Sequence, residues 1–114
     1  MARDGKAWLT DILTAIEDIE SFTHALDADG FTADRKTMLA VQASLSHIGE
    51  AVKGLPPEVR SRHPGVAWPR IMGLRNILVH EYFRSDADIL WQVVVGPHLT
   101  GLKAAVVSEL GGDP

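Results

Sequence analysis

Apolar residues recur every three or four positions along almost the whole chain, and no segment shows the two-residue alternation of a half-buried strand. In residues 6–27 the series Leu9, Ile12, Leu13, Ile16, Ile19 and Phe22 traces one stripe along a first helix. Gly30 is expected to close the turn behind it, and Asp34 to cap a second helix carrying Met38, Val41, Leu45, Ile48, Val52 and Leu55. Pro56 and Pro57 end that helix, Glu58 to Arg62 suit a short helical turn, and His63, Pro64 and Gly65 read as loop. Pro69 fits the first turn of a helix running to about Phe83. Ser85 and Asp88 form a weak Ser-x-x-Asp variant of the capping box, which opens a last helix to about Leu110, kinked at Pro97. The pattern predicts an all-α protein, an up-and-down bundle of four or five helices.

A chain of 114 residues has room for one hydrophobic core, so residues 1–114 are expected to form a single domain. The 46% hydrophobic fraction excludes a disordered chain, and no apolar run reaches the roughly 18 residues that span a bilayer. Met1 to Lys6 are polar and lack the apolar core of a secretory signal, so the cytoplasm is the expected location, with no membrane partner. With no cysteine, thiolate nucleophiles, disulfides and cysteine zinc sites are excluded.

The net charge of −4 speaks against a protein that coats nucleic acid, but the charge is unevenly placed. Residues 1–52 carry four Lys/Arg against nine Asp/Glu, residues 53–84 six against two, and residues 85–114 one against four. The basic middle, with Lys53, Arg60, Arg62, Arg70, Arg75 and Arg84 beside His63 and His80, could receive an anionic ligand or form a solvated, salt-bridged face.

Within that middle lies the segment Arg75, Asn76, Ile77, Leu78, Val79, His80, Glu81, Tyr82. Arginine stays charged at any working pH and presents a planar fork to phosphate oxygens, while a histidine can give or take a proton near neutrality. Together they suit phosphodiester cleavage. On a helix turning roughly 100° per residue, Arg75 and Tyr82 share the apolar half with Leu74 and Leu78. Asn76 and His80 lie opposite, with Gly73, and their i,i+4 spacing lets the amide orient the ring. A guanidinium among apolar neighbours needs a counter-charge or a cleft, and Glu50 is the partner expected for Arg75. Arg75 and His80 stand about 140° apart, so meeting at one phosphate requires arginine's reach together with a second copy across a twofold axis.

The R-x-x-x-x-H-x-Y arrangement follows Ile48, Gly49, Glu50 and Ala51, and then Trp68, Pro69, Arg70, Ile71, Met72, Gly73 and Leu74. With Leu90 and Trp91 early in the last helix, this order resembles the HepT-like branch of the HEPN ribonucleases, the toxins of prokaryotic toxin–antitoxin pairs. The resemblance covers most of the chain. It implies a helical homodimer whose motifs face a shared cleft, and metal-independent endoribonuclease activity on RNA with Arg75 and His80 as catalytic residues. It also implies a minimal nucleotidyltransferase antitoxin as partner, with Tyr82 as the tyrosine which that partner adenylylates. Asn76, Tyr82 and Glu50 are the expected supporting residues.

No cofactor or metal is expected. His24, His47, His63 and His98 contain no i,i+4 pair, and Gly49, Gly54, Gly65 and Gly73 lack the spacing and lysine of a phosphate loop. Trp8, Trp68, Trp91, Phe22 and Phe83 read as core or dimer-contact residues rather than a base-stacking platform. Two other readings stay open. One is a catalytically silent dimeric binding module for a nucleotidyltransferase; the other is a helical nucleic-acid binder that uses the basic segment without cleavage.

Overall fold

The computed structural model describes residues 4–74 and 87–111, and every regular element among them is helical. The helices are α1 (Gly5–Thr23), α2 (Ala28–Thr32), α3 (Arg35–Lys53), α4 (Pro57–Arg62), α5 (Trp68–Met72), α6 (Ala87–Val95) and α7 (Pro97–Glu109). The all-α expectation therefore holds.

α1 and α3 are the long antiparallel-bundle elements, each starting from an aspartate cap. The Ala7 amide donates to Asp4 Oδ1 at 2.9 Å, and the Thr37 amide donates to Asp34 Oδ1 at 3.0 Å. Such caps satisfy amides that a helix start would otherwise leave without partners. The two helices meet along their apolar stripes, and Leu9, Ile12, Ile16 and Ile19 from α1 are buried together with Val41, Leu45, Ile48 and Val52 from α3. α7 closes the other flank of α1, adding Leu99, Leu102 and Val106 to the same core.

Four local expectations are corrected. Helix α1 stops at Thr23, whose hydroxyl donates to the Ile19 carbonyl at 2.7 Å, rather than running to residue 27. Gly30 does not close a turn; it lies inside α2, where its amide donates to the Asp27 cap at 2.8 Å. Phe22, the end of the expected buried stripe and read as a core or dimer-contact residue, is exposed on the single chain, and the aromatic in the core is Phe31 on α2, tilted against Trp91 at 5.3 Å between ring centroids. The helix expected from Pro69 to about Phe83 is interrupted at Gly73, whose amide turns back to the Ile71 and Pro69 carbonyls.

The kink foreseen at Pro97 is present as a break. α6 and α7 meet at Gly96 with a bend of 42°. Proline without an amide proton fits the first turn of α7, and an added Cβ on Gly96 would stand 2.6 Å from the Gln92 carbonyl oxygen. Among the described residues no single helix is long and apolar enough to cross a membrane, although α6 and α7 taken as a bent pair reach that length and composition.

Candidate active site

Residues on both sides of the stretch that the sequence singles out are anchored in the core. Trp68 is buried at the start of α5, and its indole N–H donates to the His63 carbonyl at 2.9 Å. One turn on, Ile71 and Leu74 are buried in the core, and beyond the motif Leu90 on α6 is buried too. Apolar anchors therefore fix the chain on both sides of residues 75–86. Arg75, Asn76, His80 and Tyr82 themselves, with Phe83, Arg84 and Ser85, lie outside the described residues.

Glu50, the expected counter-charge for Arg75, sits on an exposed position of α3 between the buried Gly49 and Ala51. Its carboxylate stands 4.0 Å from the Lys53 ammonium, a spacing worth little between two half-exposed groups.

The basic middle divides once it is folded. Arg62 Nε and Nη2 donate to both Glu109 oxygens at 2.9 and 2.6 Å, a forked pair, and His63 Nε2 lies 2.7 Å from Glu109 Oε2. The Arg62 guanidinium beside it is the main reason that the Glu109 carboxyl is lowered to about 2; the His63 contact adds to the effect. This cluster ties the end of α7 to the end of α4 and the loop after it, so Arg62 and His63 serve the fold. Arg60 Nη1 lies 3.2 Å from the Met72 sulfur, which tucks its head against α5.

Arg70 is different. It makes no hydrogen bond or ion pair among the described residues and, with His98 from the first turn of α7, flanks a hollow lined by Ile71, Leu74, Val93 and Leu99. The hollow measures about 190 Å³. Arg70 stood in the basic segment of the sequence reading, but His98 read there as one of several scattered histidines. Nothing in the spacing of residues 70 and 98 could have joined them, since only the bend at Gly96 brings the start of α7 beside α5. Among the described residues no group of three or more His, Cys, Asp or Glu side chains is placed to hold a metal ion.

Residues 12–108 match the family model described as ribonuclease HepT-like. The chain is 42% identical over 113 residues to a Methanocaldococcus jannaschii protein whose name marks it as a candidate RNase, covering 97% of this chain and 93% of that one. It is 40% identical over 94 residues to a Thermococcus cleftensis protein named "probable ribonuclease HepT", covering 82% and 86%. A Caldanaerobacter subterraneus protein, again named as a candidate RNase, is 36% identical over 90 residues, covering 79% and 80%. No solved structure matches. With a match that spans nearly all of the helical core and the motif between its anchors, the chain belongs to the HepT-like family of HEPN ribonucleases.

Proposed function

We propose that this protein is a metal-independent endoribonuclease that cuts RNA at a cleft shared by two copies. The observation that carries the reading is the family match across residues 12–108, which encloses the Arg75, His80 and Tyr82 motif in full. RNA supplies its own nucleophile. His80 takes the proton from a 2′-hydroxyl, the 2′-oxygen attacks phosphorus, and the bond to the 5′-oxygen breaks as that oxygen receives a proton. The second copy's histidine is the natural donor of that proton. Arg75 stabilises the charge that builds on the phosphoryl oxygens, and Asn76 orients the imidazole or the substrate. Glu50 holds the Arg75 guanidinium in place, and Tyr82 contacts the phosphate or nucleotide beside it.

In the same reading the protein is the single-domain toxin of a type VII-like toxin–antitoxin pair in the cytoplasm. Its partner, a minimal nucleotidyltransferase, transfers an adenylyl group from ATP to the Tyr82 oxygen and releases pyrophosphate. The modification adds bulk and negative charge where an RNA phosphate must sit, and both oppose binding.

The experiment is cleavage of mixed cellular RNA in EDTA by partner-free protein. Wild type is compared with His80→Ala and Arg75→Ala after all three are shown to be folded and equal in oligomeric state. Each variant should lose at least about 100-fold in rate, the scale of a positioned acid–base or charge-stabilising group. Equal background in all three, with Tyr82 unmodified by mass, would overturn the nuclease reading in favour of a silent binding module.

A further inference from the structure

The hollow flanked by Arg70 and His98 has no part in the chemistry above. At about 190 Å³ it is smaller than the roughly 300 Å³ at which pockets for drug-sized ligands begin, so it suits one flat ring system rather than a whole nucleotide. Its walls are apolar, from Ile71, Leu74, Val93 and Leu99, and Ile71, Leu74 and Leu99 are fixed in the core, which makes the hollow a preformed feature. Its rim carries the Arg70 guanidinium and the His98 imidazole. In a chain of net charge −4 several other described basic side chains are engaged: Arg62 and His63 by Glu109 and Lys103 by Glu20, while Arg60 lies against the Met72 sulfur. Arg70 and His98 make no such contact among the described residues, and both are exposed.

A concave apolar wall beside a free guanidinium and an imidazole matches a ligand that is at once flat and anionic. Unpaired bases of single-stranded RNA stack on guanidinium planes and imidazole rings while the backbone supplies the phosphates. The position fits as well, since Leu74 in the wall immediately precedes Arg75 in the chain. We propose that this hollow between α5, α6 and α7 seats one nucleobase of the RNA strand next to the cleaved bond, with Arg70 and His98 holding that nucleotide. The proposal rests on RNA being the substrate, and it makes the hollow a determinant of which nucleotide stands beside the cut.

The test uses a single-stranded tetranucleotide with 2′-O-methyl riboses, which lacks the attacking hydroxyl and stays intact during a titration followed by amide NMR. Binding to wild type should shift the amides of Leu74, Val93 and Leu99, and inorganic phosphate alone should not. Arg70→Ala and His98→Ala, both at exposed positions, should weaken binding about tenfold each while keeping the wild-type Tm. Val93→Trp, which fills the hollow and keeps Arg70 and His98, should also displace the strand and change the nucleotide preference beside the cut in a randomised RNA. RNA shifts confined to other amides, or wild-type affinity in all three variants, would overturn the subsite. So would a change of sedimentation without a change in RNA binding, which would assign the hollow to a second copy of the chain. If the tetranucleotide fills the hollow but wild type cuts no unmodified RNA, the ribonuclease reading fails and the hollow stands only as a nucleobase-binding site with no cut beside it. If RNA is cut with the same preference and bound equally by every variant, the subsite fails and the ribonuclease reading stands.

Discussion

Glu109 shows how one carboxylate can join distant parts of this chain. Its two oxygens receive the Arg62 fork and face the His63 ring, and that pairing holds its carboxyl at about 2, well below the ordinary 4.5. A group whose folded pKa lies under its unfolded value adds stability that is complete above the unfolded value and fades as the pH falls towards the folded one. The contribution should therefore be whole above about pH 4.5 and drain away between there and about pH 2. Glu109→Gln keeps the shape and removes the charge. At pH 6 its Tm should fall below wild type by roughly 3–6 °C, the size expected for losing charge-assisted bonds in a domain of this length. The gap should narrow through pH 4 and close near pH 2; a gap of constant size from pH 6 to pH 2 would mean that shape rather than charge is responsible. None of this was legible in the sequence, because Glu109 stands 46 and 47 residues from its partners and no local rule links them. The Asp34 cap was legible, since its contact with Thr37 spans three residues and follows from how every helix begins.

At the scale of elements, the long helices could be read from periodicity and the joints between them could not. α1 and α3 each bury one continuous stripe, and such stripes are what a three- or four-residue rhythm encodes. The short α2 has no room for a rhythm in its five residues, so Phe31 gave no signal and Gly30 was read as a turn. Two glycines at joints, by contrast, have definite steric work. Gly54 follows α3, and a Cβ there would overlap the rigid indole of Trp8. Gly96 sits in the break between α6 and α7, where a Cβ would press on the backbone oxygen of Gln92. Alanine at either place should cost about 1–3 kcal/mol, the usual size of an overpacking penalty, measured as a lower urea midpoint at unchanged m-value. Gly101→Ala is the control, since an added Cβ there meets nothing within 4 Å. Inside a helix it should be neutral or stabilise by up to about 1 kcal/mol. Equal loss at all three glycines would point to a general intolerance of alanine and not to these two contacts.

For the whole molecule, the family was legible from the motif and the order of the segments around it, whereas the distribution of charge could be seen only in the fold. The sequence offered six Lys/Arg in residues 53–84 as one possible anionic-ligand surface. Folding removes part of it, because Arg62 is bound by Glu109, and it leaves Arg70 open on the rim of the hollow. On the proposed reading, the result is a small cationic area on an acidic body that would steer a strand to one place without coating it. Such a surface should neutralise only about two to four phosphates per bound strand. The slope of log affinity against log salt should then be about −1.4 to −2.8, taking the single-strand value of roughly 0.7 per phosphate. Arg62→Ala should leave the slope unchanged, since that guanidinium is occupied by Glu109, while Arg70→Ala should flatten it by about 0.7. A slope steeper than about −5, or an equal response to both variants, would mean that RNA spreads over the basic face as a whole and that the ion pairs open to receive it.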